Sequence, residues 1–203
     1  MGFASLVFSV NEALINALMD YPLTLEVAVF LVGAFLLLSH LLALFRADGA
    51  RSFVDRFPRS SGWGGLLFTV AVAWFLAVVV YGDLGEMTEW RPKIVVGSVA
   101  AYAIMMRWQP EFLAIRAVGM LALLAANPLL QAAFLRPEVS RLALVGLVYV
   151  WITLGLFAIG MPYKFRRVAS ILIQDSRLWR MASWSGVVYG AVLIAVGVSL
   201  VIG

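Results

Sequence analysis

Residues 121–135 read LALLAANPLLQAAFL, a run that is apolar enough to belong to a membrane-spanning helix. Only RPEVSR, residues 136–141, separates this run from the next apolar one, and so short a link predicts two antiparallel helices. Asn127 and Pro128 interrupt the first run. Proline removes a backbone hydrogen bond, and asparagine adds a polar group that lipid cannot satisfy. The stretch therefore predicts a membrane helix hairpin with a break in its first arm.

The composition of the whole chain supports a membrane location. Of 203 residues, 64% are hydrophobic and only 13% are charged, whereas soluble domains are about 25% charged. The absence of cysteine excludes disulfides and thiolate metal sites, and a single histidine, His40, excludes multi-histidine sites built by this chain alone. We interpret the net charge of +4 as a signal of membrane orientation, and we expect no nucleic-acid partner.

Six apolar segments approach the roughly 20 residues that a bilayer core requires. They lie at about 23–45, 63–82, 92–106, 112–135, 139–163 and 182–202, and the third is short. Residues 1–20 differ, because Ser5, Ser9, Glu12 and Asn16 line a polar face opposite an apolar stripe. This pattern favours an amphipathic helix in the membrane interface over a disordered or partner-packed terminus. The predicted fold is all-α, a polytopic helix bundle forming one integral membrane domain over residues 1–203.

Basic residues predict the orientation of the six segments. One side of the membrane receives 11 of the 15 lysines and arginines and the other side receives 4, namely Arg91, Lys93, Arg136 and Arg141. The positive-inside rule then places both termini outside the cytoplasm, and a bacterial inner (plasma) membrane is the expected location. Loops 46–62 and 164–181 become cytoplasmic and amphipathic. Their arginines are expected to face lipid phosphate, with membrane lipids as partners: Arg46, Arg56, Arg59, Arg167, Arg177 and Arg180.

Glycines mark the expected sites of close helix packing. Gly186 and Gly190 form a GxxxG pattern in the last segment, and Gly197 follows seven residues later on nearly the same face. Gly97 lies in a comparable small-residue region of the third segment. Small residues let helix backbones approach closely in lipid. The pattern leaves open whether the partner helices belong to this chain or to another.

Two polar positions have alternative interpretations. We interpret His40 as a neutral histidine bonded to a backbone carbonyl or a neighbouring helix, and its alternative role is a ligand to a haem or a pigment. The break at Asn127 and Pro128, with Gln131 one turn further on, is interpreted as a packing kink. Its alternative role is a binding site in a transporter, where broken helices hold substrates and ions.

These features predict a non-catalytic membrane subunit that packs against partner helices to assemble or stabilise a larger complex. The sequence contains no HExxH, P-loop or GxSxG motif, so we expect no enzyme activity and no cofactor beyond lipids. The expected partners are other transmembrane subunits or a second copy of the chain. Two alternatives remain: a small oligomeric transporter or channel at the broken fourth helix, and a haem- or pigment-holding protein using His40.

Overall fold

A computed structural model describes residues 23–108 and 112–202, and this part of the chain is helical with no β-strand. The long helices are α1 (Leu25–Phe45), α2 (Ala47–Arg56), α3 (Ser61–Tyr81), α4 (Arg91–Trp108), α5 (Leu113–Ala133), α6 (Arg141–Gly160), α7 (Pro162–Gln174) and α8 (Ser176–Ile202). Short 3-10 helices, Phe57–Arg59 and Gly85–Trp90, precede α3 and α4. The interfacial helix expected at residues 1–20 lies outside the described residues.

Five helices, α1, α3, α5, α6 and α8, are long and apolar enough to cross a membrane. The predicted third segment, 92–106, corresponds to α4, which is 18 residues long. This helix contains Arg91, Lys93 and Arg107, so its apolar stretch is short, and it is not among the five. The described part of the chain is therefore all-helical, with five candidate membrane spans.

Polar side chains determine where several helices begin. The Ser60 hydroxyl accepts a hydrogen bond from the Trp63 backbone N–H at 3.3 Å, so α3 begins at Ser61 and not at 63. The Asp175 carboxylate accepts bonds from the N–H groups of Arg177 and Leu178 at 2.7 and 3.3 Å. Because this cap starts α8 at Ser176, the last helix begins six residues before the predicted position of 182. Its first turns occupy the end of the predicted loop 164–181.

The larger part of the core joins four helices. Leu25 and Val29 of α1, Leu144 and Val148 of α6, and Leu193 of α8 are fully buried in one cluster. The second half of α5 adds small and aliphatic residues to this cluster: Ala126, Leu129, Ala132 and Ala133. Exposed apolar residues surround the cluster, a pattern compatible with a bundle whose solvent is a bilayer.

A smaller cluster joins α3 to the first half of α5. Phe68 and Val72 of α3 pack with Leu113 and Ala117 of α5. The two helices start at the same end of the bundle, because a Cβ on Gly64 would lie 3.0 Å from the backbone nitrogen of Ala114. α3 and α5 therefore run parallel, and the chain between them must return along the bundle.

Two short amphipathic helices, α2 and α7, lie at the end of the bundle where α1 ends and α8 begins, and they contact each other. The Arg51 guanidinium of α2 lies 5.5 Å from the ring centroid of Trp179 in α8. Trp179 in turn donates a hydrogen bond from Nε1 to the Ala43 carbonyl of α1 at 3.0 Å. These contacts tie α2 to both α1 and α8 at this end.

Candidate functional site

The three glycines predicted for packing in α8 all face α1 of the same chain. A Cβ on Gly190 would lie 2.8 Å from the Leu37 nitrogen and 3.0 Å from the Gly33 oxygen. A Cβ on Gly197 would lie 3.0 Å from the Phe30 ring. Because backbone atoms approach this closely only where side chains are absent, the glycines permit the α1–α8 contact.

Gly186 faces the only histidine. A Cβ on Gly186 would overlap the His40 ring at Cδ2, Cγ and Nε2. His40 Nδ1 lies 2.8 Å from the Leu36 carbonyl oxygen, and because a carbonyl only accepts, Nδ1 carries the proton in this bond. The half-buried ring is thus held between its own helix and α8, at the position where α8 has no side chain.

Gly97 has a different environment from the α8 glycines. A Cβ on Gly97 would meet nothing within 4 Å, and the glycine lies on an exposed face of α4. Any close packing at Gly97 therefore involves a partner outside the described part of this chain.

Four glycines that were not singled out from the sequence also form close contacts. Gly33 lies against α8 and Gly64 against α5, as described above. Gly119 of α5 and Gly155 of α6 face each other, and a Cβ on Gly119 would lie 2.7 Å from the Gly155 oxygen. Neither of this pair belongs to a GxxxG pattern, so only their position across the hairpin reveals their role.

α5, the helix that contains Pro128, exposes its two amide side chains on the outside of the described bundle. α5 continues through Pro128 to Ala133, with Ala126 and Leu129 buried. Asn127 and Gln131 point the other way and are exposed. Within residues 23–108 and 112–202, no other helix covers the Asn127 side chain. The helical repeat places 127 and 131 together on a face opposite to the buried one.

The two exposed amides bind each other. Gln131 Nε2 donates to Asn127 Oδ1 at 3.3 Å, and this is their only side-chain hydrogen bond within residues 23–108 and 112–202. The bond uses one of four amide N–H groups, and the Gln131 oxygen remains unused. From the rise of a helix, Asn127 lies about 9 Å from the end of α5. We call Asn127 and Gln131 the amide pair.

The end of the bundle near the amide pair has its own polar contacts. Arg136 Nη2 lies 3.7 Å from Glu26 Oε1, which links the loop after α5 to the first turn of α1. Arg141 Nη1 donates to the Ala133 carbonyl at 3.2 Å, which supplies a donor to the last turn of α5. These contacts fix the tight α5–α6 connection.

The six arginines that were expected to face lipid phosphate are all exposed. They belong to α2 and its flanks or to α7 and α8: Arg46, Arg56, Arg59, Arg167, Arg177 and Arg180. The sequence analysis missed Arg51, whose half-buried side chain stacks on Trp179 instead of pointing outward. At this end of the bundle, the six named arginines are thus exposed, whereas Arg51 packs against Trp179 of α8.

Among the described residues no group of three or more His, Asp or Glu side chains lies close enough together to hold a metal ion. Comparisons with protein-family models, with curated proteins and with solved structures give no match. The contacts within the chain are therefore the basis of the functional proposal.

Proposed function

We propose that this chain is a non-catalytic integral membrane subunit that packs against partner helices and so helps to assemble or stabilise a larger membrane complex. The observation that carries the proposal is the exposed amide pair on α5. Each amide can form several hydrogen bonds, and the two share only one within the described chain.

A bilayer cannot supply the remaining bonds. Unsatisfied polar groups in hydrocarbon cost several kcal/mol by transfer estimates, roughly 4–8 in the least polar solvents. Asparagine and glutamine in membrane helices therefore favour association with another helix, where each interhelical bond contributes about 0.6 kcal/mol. A partner helix on this face of α5 accounts for two amides that no helix within residues 23–108 and 112–202 covers.

The proposal includes a sixth crossing by α4. Arg91 at the start of α4 donates to the Val80 and Gly82 carbonyls at 2.9 Å, and Tyr102 near its end contacts Thr69 Oγ1 at 2.9 Å. α4 therefore runs antiparallel beside α3, from the end of α3 back towards its beginning. Its 18 residues span about 27 Å, close to the thickness of a bilayer core.

Aromatic and basic residues at both ends of α4 support this crossing. Lys93 Nζ lies 4.3 Å from the Trp90 ring centroid at one end, and Arg107 and Trp108 lie at the other. Such residues anchor helix ends in the two interfaces, and their long side chains reach headgroups from inside the hydrocarbon. A crossing α4 also returns the chain to the end where the parallel helix α5 begins.

With six crossings, both termini lie outside the cytoplasm of a bacterial inner membrane. The excess of 11 basic residues over 4 supports this orientation. The amphipathic helices α2 and α7 then lie together at the cytoplasmic interface, where the exposed arginines named above contact lipid phosphate.

The alternatives assign other roles to the same residues. A transporter or channel at Pro128 needs Asn127 and Gln131 to line a path, and both face outward from the helices of the described residues. Such a path therefore needs a surface beyond those helices. A haem or pigment would bind His40 at Nε2, because Nδ1 is bonded to Leu36. The proposed subunit needs neither a path nor a cofactor.

Native mass spectrometry of the full chain, released from its own membranes in mild detergent, tests the proposal. We expect a stoichiometric complex, and we expect Asn127→Leu with Gln131→Leu to release the chain from it without changing far-UV circular dichroism. Val118→Leu is the matched control, because Val118 is exposed on the opposite face of α5. A chain that is monomeric under these conditions contradicts the proposal.

The two alternatives predict other results. Transport by the chain alone in vesicles, lost on Asn127→Leu, supports the transporter. Visible absorbance lost on His40→Ala supports the cofactor protein.

A further inference from the structure

We propose that the partner on the outward face of α5 is a second copy of this chain, bound through the amide pair around a two-fold axis along the membrane normal. This inference rests on the proposed function and names its partner.

The spacing on this face of α5 is that of a helix seam. Within α5 the residues recur at intervals of four, three and four, the repeat of a left-handed helix pair, and the C-cap residue Phe134 follows three positions later: Met120, Leu124, Asn127, Gln131 and Phe134. We call these five residues the α5 seam. In such a pair each seam residue approaches its own copy across a parallel two-fold interface.

The exposure of its side chains shows which part of the α5 seam a second chain can contact. Met120 and Leu124 are half-buried, Asn127 and Gln131 are exposed, and Phe134 is 71% exposed. One turn before Met120 the face is closed, because Ala117 is buried in the cluster with α3. A second chain therefore reaches the half of the seam that contains the amide pair.

The amide pair is complementary to itself. After the bond between Gln131 Nε2 and Asn127 Oδ1, the described residues leave N–H donors on both nitrogens and one acceptor, Gln131 Oε1, without a partner. A parallel two-fold axis places Asn127 beside its own copy and one helical turn, about 6 Å along the axis, from Gln131 of that copy. The offset is the same as within one chain, so Asn127 Nδ2 of one copy donates to Gln131 Oε1 of the other, and the reverse. Two equivalent interchain hydrogen bonds result, and both chains keep their internal one.

Pro128 adds an acceptor to the same seam. Proline has no N–H, so the carbonyl of Leu124 lacks the donor that position 128 would otherwise supply. Leu124 is one turn from Asn127 on the seam. A spare amide N–H from the second copy satisfies this carbonyl, and the break thus brings donor and acceptor into one interface.

The chemistry of the seam favours a like partner. Neither amide carries a charge, so the α5 seam cannot neutralise a charged partner helix. Its N–H donors and its amide acceptor can instead pair with the acceptor and the donors of an identical seam. Copies inserted in one orientation can be related by a two-fold axis only along the membrane normal, and this axis brings each residue of the seam towards its own copy. Asparagine at such a position is a known device for specifying the number of helices.

Cysteine cross-linking of the full-length chain in lipid vesicles tests the inference, because the native chain contains no cysteine. With copper–phenanthroline as oxidant, Leu124→Cys should give a disulfide-linked dimer at low chain density. Val118→Cys, on another exposed face of α5, should remain monomeric. Adding Asn127→Leu and Gln131→Leu to Leu124→Cys should weaken dimerisation by on the order of tenfold, since two interchain bonds of about 0.7 kcal/mol each correspond to that factor.

Three results would overturn the inference: no cross-link from a Leu124→Cys chain with native circular dichroism, equal cross-linking at position 118, or a cross-link unaffected by the leucine pair. Native mass spectrometry then distinguishes a wrong partner, the second copy, from a wrong proposed function. A stoichiometric complex with other chains, together with no self-cross-link, leaves the subunit proposal standing and removes the second copy. A monomer in both experiments removes both.

Discussion

Gly119 and Gly155 meet across the α5–α6 hairpin, where a Cβ on Gly119 would lie 2.7 Å from the Gly155 carbonyl oxygen and 3.0 Å from the Ala158 Cβ. The nearest obstacle is backbone, which cannot rotate away as a side chain can. The hairpin therefore depends on glycine at this crossing, and close backbone contact replaces the side-chain interdigitation of an ordinary helix pair.

We expect Gly119→Ala to lower the free energy of unfolding by about 1–3 kcal/mol, because the new methyl group forces α5 and α6 apart. Gly146→Ala is the matched control in the same hairpin, since a Cβ there meets nothing within 4 Å. Denaturant titration in detergent micelles, followed by circular dichroism, measures both variants. Equal stability of the two variants would show that the hairpin adapts without cost.

At the α1–α8 interface, Gly190→Ala should destabilise the chain more than Gly186→Ala. A Cβ at 190 meets the Leu37 backbone nitrogen at 2.8 Å, whereas a Cβ at 186 meets the His40 ring, which can rotate. The cost of Gly186→Ala should shrink in a His40→Ala background, with a coupling energy of about 0.5–3 kcal/mol. A double-mutant cycle in thermal unfolding measures this, and strictly additive costs would mean that the ring and the glycine do not interact.

The sixth crossing is tested by labelling single cysteines in intact cells. If α4 crosses, Thr88→Cys is labelled by an impermeant reagent and Gln109→Cys is protected until the cells are permeabilised. Ser52→Cys and Ser176→Cys should behave like Gln109→Cys, because positive-inside orientation places all three in the cytoplasm. Labelling of positions 88 and 109 from the same side would show that α4 does not cross.

Tyr102→Phe should loosen α4 without unfolding the bundle. The substitution removes the hydroxyl that lies 2.9 Å from Thr69 Oγ1, but it keeps the ring stacked on Phe68 at a centroid distance of 5.6 Å. We expect a loss of about 0.6 kcal/mol, the mean for a hydrogen bond between membrane helices. Thr69→Val should cost a similar amount, and the double variant should cost less than the sum. Tyr163→Phe, at an exposed position on α7, is the control and should be neutral.

The sequence alone predicted the class of fold and most of the helices. Apolar runs of about 20 residues become spans because lipid offers no partner to the backbone, so each run must satisfy its own hydrogen bonds as a helix. Five such runs correspond to α1, α3, α5, α6 and α8. The beginning of α8 was predicted late, because the Asp175 cap starts a helix among residues whose charge suggested a loop.

The tertiary structure decided which faces of those helices meet. Gly186, Gly190 and Gly197 turn towards α1, while Gly97 meets no other helix among the described residues and the unmarked pair Gly119 and Gly155 lies at the hairpin crossing. The structure also turned Asn127 to the outside of the described bundle, a direction that the sequence left open. Hydropathy is a property of each segment by itself and carries no information about its neighbours. Because lipid is as apolar as leucine, the stripe of a helix that faces lipid and the stripe that packs on another helix have similar sequences. Contact between two helices depends on the shapes of both surfaces, and those are brought together only by the fold.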